Sequence, residues 1–263
     1  MNKSGFTEEK HPVDPLLHTD SIPSGWCSGC GIGMVVNTFV QAVNKMDIDV
    51  ENIHIVSSGI GCTGNVDQHL SFKSDKITDS NVIAYAAELG AKKQDLKVVL
   101  FLNDTDFIAS NIDEFIKAGK SGAKIVVIYI NNYIYRIFIE HKALPKTPFL
   151  KSSSKDKNAT PFNIPHLAKV SGADYVARWT QLHIRRLMFS IEDALLTEGF
   201  SVIEVVAPCL MYYMNKGNTG EKIDRMGVYK ENSIIKHLEP TENLDLRNQN
   251  EIIVGRFLWR DAD

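Results

Sequence analysis

The 263-residue sequence predicts an α/β fold built on a doubly wound, mostly parallel sheet. Three observations carry that expectation. Apolar strand-like runs alternate with segments of helical period, which is the βαβ rhythm of parallel sheets. One of the runs, 124–130, is apolar almost throughout, as strands buried on both faces are. Polar or glycine-bearing turns follow several of the runs, at the end where such sheets hold ligands.

Taken in order, the turn-rich stretch Trp26-Cys27-Ser28-Gly29-Cys30-Gly31 feeds a helix over 34–46, in which Val35, Val36, Phe39, Val40 and Val43 recur at helical spacing. Ile53-His54-Ile55-Val56 predicts a short strand that ends in Ser57-Ser58-Gly59-Ile60-Gly61-Cys62, where glycines permit a tight turn. A helix over 81–92, a strand over 97–102, a helix over 107–118 and the strand 124–130 follow. After a polar loop at 151–160 the rhythm resumes: helix 166–170, strand 174–177, helix 182–196 and strand 201–206. These boundaries divide the chain into a leader at 1–24, one large domain at 25–212 and a tail at 213–263 that wraps the domain or meets a partner. The polar tripeptide Asn103-Asp104-Thr105 and the pair Asn131-Asn132 both fall at carboxyl ends of predicted strands, where the crevice of a doubly wound sheet lies.

Composition is that of an ordinary globular chain, 44% apolar and 23% charged. A formal charge of -3 lacks the basic field that nucleic-acid or membrane-surface binders use, so neither partner is expected. No apolar run approaches the roughly 20 residues that cross a bilayer, and residues 1–20 are polar where a signal peptide would be apolar. A cytoplasmic location follows as the expectation.

In that reducing compartment the four cysteines are metal ligands, redox groups or buried thiols rather than disulfides. Cys27 and Cys30 form a C-x-x-C pair in a turn, while Cys62 and Cys209 each follow a predicted strand, so all four can reach one end of the sheet. A Cys₄ set can ligate an iron-sulfur cluster. Spacing alone leaves two alternatives open: Cys62 and Cys209 as small core residues, or a structural zinc site, which usually takes its ligands as two close pairs. No C-x-x-C-x-x-C-x-x-x-C run is present, so the chain holds at most one cluster and electrons must leave to a separate carrier or subunit.

The motifs themselves resemble those of one family. Trp26-Cys27-Ser28-Gly29-Cys30-Gly31 is similar to the W-C-P-G-C-G signature of 2-oxoacid:ferredoxin oxidoreductase β subunits, and Ser58-Gly59-Ile60-Gly61-Cys62-Thr63 to their S-G-I-G-C-S. The likeness runs on collinearly through Asn131-Asn132-Tyr133-Ile134-Tyr135, residues 144–148, residues 172–178 and Glu204-Val205-Val206 to Ala207-Pro208-Cys209. The ending Arg256-Phe257-Leu258-Trp259-Arg260 also looks like the family's last strand.

This resemblance implies a thiamine-diphosphate-binding fold and a subunit that, with an α subunit, oxidatively decarboxylates a 2-oxoacid. Electrons would pass through one 4Fe-4S cluster to ferredoxin or another electron carrier, and the acyl group to coenzyme A. It implies that Cys27, Cys30, Cys62 and Cys209 hold the cluster. Asp104, Asn132 and the Ile134 carbonyl match the positions that hold magnesium, an ion that takes near-octahedral oxygen ligands. Gly59, Ile60, Gly61, Thr63, Thr105, Asp106 and Arg136 fall on the cofactor-binding segments. The residue types have ordinary roles too, Asp104 as a helix cap and the asparagines as turn formers.

The chain departs from the family at three places. Asn103-Asp104-Thr105-Asp106 stands for G-D-G-D, placing a Cβ where glycine let the backbone approach phosphate. Asp79-Ser80-Asn81 stands for H-G-R, and Tyr135-Arg136-Ile137-Phe138 for Y-G-M-T. Two other functions therefore stand beside the enzyme subunit: an electron-transfer or scaffolding subunit that keeps the cluster without thiamine diphosphate, and a zinc-stabilised binding module.

Overall fold

In strand after strand, odd and even positions feed two separate apolar layers. The computed structural model describes residues 11–21, 25–93, 95–110, 112–132, 162–209, 229–246 and 251–260. Strands β1 (Ile53–Ser58), β3 (Lys97–Asn103) and β4 (Ile125–Asn131) are buried along nearly their whole length. Ile55, Phe101 and Ile128 point into one layer, and Val56, Leu100 and Val127 into the other. Period-2 side-chain alternation makes this unavoidable in a strand covered on both faces.

The first layer is closed by α1 (Gly31–Met46), through Val35, Phe39 and Val43, and by the later helix Ile184–Leu196, through Leu187 and Ile191. The second is closed by α3 (Val82–Lys92), α5 (Ile112–Lys120) and α6 (Ile164–Ser171), through Ile83, Phe115 and Ala168. Helix Ile184–Leu196 is α7, and α2 (Val66–His69) and α4 (Asp104–Ala109) are short turns at the sheet's carboxyl rim.

Eight strands form one sheet in the order β2-β1-β3-β4-β6-β5-β8-β7, completed by β2 (Lys73–Ile77), β5 (Tyr175–Thr180), β6 (Ser201–Val206), β7 (Ser233–Ile235) and β8 (Ile252–Trp259). Every pair is parallel except β5 with β8. The doubly wound, mostly parallel α/β architecture is thus observed. The segment after residue 212 supplies β7 and β8 to the same sheet, and Ile252 and Val254 of β8 are fully buried. Among the described residues, no helix is long and apolar enough to cross a membrane.

Three local differences from the sequence expectation have physical causes. The helix expected over 107–118 is two helices, because Asn103 caps α4 four residues before the first apolar position, and Ser110, extended at ψ 159°, ends it. Edge strand β2 was not expected: Lys73-Ser74-Asp75-Lys76-Ile77 is largely polar and half exposed, as edges that resist aggregation are. Helix α1 starts at Gly31, three residues early, with Cys30 as its N-cap residue.

Candidate cofactor and cluster site

The carboxyl ends of β1, β3, β4 and β6 place most of the chemistry-bearing residues on one rim. Asn132 follows β4 directly, and its backbone N–H donates to Asp104 Oδ1 at 2.8 Å, across from β3. The Asn132 side chain donates from Nδ2 to the Ala207 carbonyl at 2.9 Å, which aims Oδ1 away; that oxygen is buried and accepts no hydrogen bond. Thr105 Oγ1, one residue from Asp104, is likewise buried without a partner. Buried polar atoms are almost always paired, so these two oxygens, on residues bonded to or next to Asp104, are atoms that could hold a hard cation.

Asn103, not Asp104, caps α4. Its side chain accepts from the Asp106 N–H at 3.0 Å, and Asp106 Oδ2 accepts from the Asn103 N–H at 3.0 Å, a reciprocal capping box. The signal stood in the sequence, as an asparagine three residues before an aspartate. Asp106 Oδ2 also accepts from the Thr63 hydroxyl. Burial raises the Asp106 carboxyl above the ordinary range, with the Thr63 hydroxyl and the Asn103 amide pulling it back. Gly61 passes so close that a Cβ there would lie 2.6 Å from Asp106 Oδ1 and 2.9 Å from Asn103 Oδ1.

The four cysteines gather at this rim. Cys27 precedes α1 and is exposed; Cys30, half-buried, turns back so that its N–H meets the Cys27 carbonyl at 2.9 Å. Cys62 opens the turn Cys62–Asn65 and is exposed, and Cys209, half-buried, lies three residues past β6. Two contacts join their loops. Trp26 Nε1 donates to the Cys62 carbonyl at 2.8 Å. A Cβ on Gly31 would stand 2.4 Å from the Ala207 Cβ, so only glycine lets the start of α1 meet the Cys209 segment. Separately, the Cys209 N–H donates to the Asn132 carbonyl at 2.9 Å, which ties the Cys209 segment to the end of β4.

Electrostatics report the same gathering. The Cys30 thiol is pushed up to about 11, by burial first and then by the charges of Cys62, Cys209 and Cys27, against the downward pull of its backbone hydrogen bond with Ile32. Cys62 is raised by burial, then by Cys209, Asp106 and Cys27. Among the described residues no three His, Cys, Asp or Glu side chains close into a ready-made metal site.

The remaining residues sort as follows. Gly59, Ile60 and Gly61 form the loop between β1 and the Cys62 turn, with Ile60 exposed and Thr63 buried. Ile134 and Arg136, with Tyr133, Tyr135 and residues 144–148, lie outside the described residues. Asp79 and Asn81 sit between β2 and α3, where the Asn81 N–H donates to Asp79 Oδ1 at 2.8 Å. His69 Nδ1 meets Ser21 Oγ at 2.7 Å and its ring lies 4.5 Å from that of Trp26. A buried network escaped the sequence reading altogether. Arg178 Nε donates to Glu204 Oε2 at 2.6 Å and Nη1 to the Leu244 carbonyl at 2.8 Å, while Asn131 Nδ2 donates to Glu204 Oε1 at 2.8 Å.

Residues 59–205 match the family described as thiamine pyrophosphate enzyme, C-terminal TPP binding domain. The fold and its rim therefore define a thiamine-pyrophosphate-binding α/β domain. The chain is 34% identical over 252 residues to 2-oxoglutarate synthase subunit KorB of Methanocaldococcus jannaschii, covering 94% of this chain and 92% of that one. It is 36% identical over 196 residues to the subunit of that name from Archaeoglobus fulgidus, covering 73% and 72%. To the 2-oxoacid:ferredoxin oxidoreductase subunit beta of a Sulfolobus species it is 30% identical over 213 residues, covering 78% and 67%. A solved 2-oxoglutarate:ferredoxin oxidoreductase from Magnetococcus marinus, with 2-oxoglutarate, coenzyme A and succinyl-CoA bound, shares the fold at a TM-score of 0.75 and 17% identity, covering 100% of this chain and 90% of that chain. The chain belongs to the family of 2-oxoacid:ferredoxin oxidoreductase β subunits.

Proposed function

We propose that this chain, paired with an α subunit in the cytoplasm, oxidises a 2-oxoacid in the presence of coenzyme A and delivers the electrons to ferredoxin. The observation that supports the reading is the Asp104–Asn132–Cys209 link, in which one residue, Asn132, is hydrogen-bonded both to the carboxylate that would hold magnesium and to the cysteine segment that would hold the cluster. Asp104 and Asn132 Oδ1 would hold magnesium, with the Ile134 carbonyl; the unmatched Asn132 and Thr105 oxygens fit such a hard-oxygen set. Gly59, Ile60, Gly61, Thr63, Thr105, Asp106 and Arg136 would surround the diphosphate. Cys27, Cys30, Cys62 and Cys209 would ligate one 4Fe-4S cluster, as a Cys₄ set whose loops are brought together by the Trp26–Cys62 hydrogen bond and the close approach of Gly31 to Ala207.

Thiamine diphosphate, when bound, supplies the electron sink for decarboxylation, and the cluster carries electrons away singly. What this chain's residues add is placement. The capping box sets Asp104 in the first turn of α4, and the Asn132 side chain is oriented by the Ala207 carbonyl. In place of the family's second glycine, Thr105 offers a hydroxyl that can donate to a phosphate oxygen.

The test is anaerobic co-purification with the α subunit, quantification of iron, sulfide and thiamine, calorimetric titration with magnesium and thiamine diphosphate, and ferredoxin reduction with 2-oxoglutarate as the first substrate. One cluster per chain, saturable cofactor binding and coenzyme A-dependent reduction are expected. An iron-replete complex that binds no thiamine diphosphate at millimolar concentration would instead establish an electron-transfer or scaffolding subunit, and zinc without sulfide a binding module.

A further inference from the structure

We propose that the Thr63–Asp106 hydrogen bond is a strut that sets the distance between the cluster-binding cysteine loop and the metal-binding turn, making Thr63 and Asp106 positioning residues for both. The inference rests on the functional reading above and assigns these two side chains a task in addition to lining the diphosphate site.

Thr63 is the chain neighbour of Cys62, and Asp106 lies two residues from Asp104 in the same helical turn. Their side chains link the two loops directly: the Thr63 hydroxyl donates to Asp106 Oδ2, both residues are fully buried, and Ser58 and the Gly61 backbone of the same loop also hydrogen-bond the Asp106 carboxyl. The capping box needs only the exchange between Asn103 and Asp106. The Thr63 contact is surplus to helix capping, and it recruits a carboxylate already immobilised by the helix start. Gly61 adds to the fit, since its missing Cβ lets the loop lie against Asp106 Oδ1 and Asn103. From the other side Trp26 Nε1 holds the Cys62 carbonyl at 2.8 Å. Cys62 is thus braced between the α1 entry and the α4 entry, and the second brace bears on the Asp104 turn as well. A buried bond to a carboxylate is among the stronger kinds, so it can transmit the position of one loop to the other.

The experiment uses the complex with the α subunit. Thr63→Val removes the donor at constant shape, Thr63→Ser restores it, and Asp106→Ala removes the acceptor. Three readouts are taken on each: the electron paramagnetic resonance spectrum and midpoint potential of the reduced cluster, the calorimetric affinity for thiamine diphosphate with magnesium, and the melting curve. Thr63→Val is expected to shift the cluster signal and to weaken cofactor binding by about tenfold, a usual size for coupling between sites. Thr63→Ser should return both to wild type, and the double variant Thr63→Val/Asp106→Ala should be no worse than Asp106→Ala alone, because the bond can be lost only once. If Asp106→Ala fails to fold, the Thr63 pair decides alone. Should the wild type hold its cluster and bind the cofactor while Thr63→Val changes neither, or changes only one, the strut is refuted and the functional reading stands. A wild type without iron would bring down both.

Discussion

The backbone N–H of Asn132 reaches 2.8 Å across the sheet rim to Asp104 Oδ1, so the carboxylate is engaged by the protein before any ligand arrives. Asp104 is buried, and removing it leaves that N–H without its acceptor in a dry site. Asp104→Ala is therefore expected to cost about 1–3 kcal/mol of stability and to abolish magnesium-dependent binding of thiamine diphosphate. Asp104→Asn keeps an oxygen for the Asn132 N–H, so it should melt near wild type while binding the cofactor far more weakly. Melting curves beside calorimetric titrations separate the two effects. Equal cofactor affinity in Asp104→Asn and wild type would remove Asp104 from the ligand set.

Gly31 offers a test that changes no ligand. Its hypothetical Cβ meets the Ala207 Cβ at 2.4 Å and Gln181 Oε1 at 2.7 Å, and a methyl group on a packed segment has little room to yield. Gly31→Ala should cost about 1–3 kcal/mol by overpacking and, by pushing α1 from the Cys209 segment, lower iron content toward that of Cys209→Ser. Iron and sulfide analysis after anaerobic purification measures it, and full cluster occupancy in Gly31→Ala would show that the close approach does not govern the cysteines.

Much of this architecture was legible in the residues because burial on two faces leaves its mark as uninterrupted apolar runs, as in Ile125–Asn131. The edge strand β2 was not, since a strand open on one side is built from the same lysines and serines as a loop. At the site, the roles expected of Asp104, Asn132 and the cysteines come from the family likeness rather than from spacing, which left core thiols and zinc open. The direction of Asp106 was hidden for a different reason. An acidic residue in a helix's first turn reads alike whether it faces a ligand or caps its own helix, and only coordinates show its carboxylate turned toward Asn103 and Thr63.

The fully buried pair Arg178 and Glu204 braces β5 against β6 and, through Asn131, the residue before Asn132. Deleting one member leaves the other charged in a place without water, so Glu204→Leu should destabilise the chain by about 3–5 kcal/mol. Glu204→Gln, which keeps acceptor and shape, should lose less. Urea denaturation of both variants decides, and a Glu204→Leu protein as stable as wild type would mean that the pair contributes no more than apolar packing.

Asp75 on the exposed edge provides a pH signature. Burial pushes its carboxyl up, but hydrogen bonds from the Tyr85 hydroxyl and with the His54 imidazole, each 2.7 Å, outweigh that and hold it below its ordinary value of 3.8. A carboxyl depressed on folding releases its proton more readily in the native state, so the stabilisation is present above 3.8 and is lost as pH falls through the folded value. Tyr85→Phe removes one of the two donors. The variant should be less stable at pH 7 by at most about 1 kcal/mol, because the Asp75 side chain is 38% exposed and water screens it. That gap should close as the pH falls below 3.8 and through the folded value, where Asp75 becomes protonated in both proteins. Urea midpoints of wild type and Tyr85→Phe across pH 3 to 7 give the comparison, and a gap of constant size over the whole range would assign Tyr85 to packing alone.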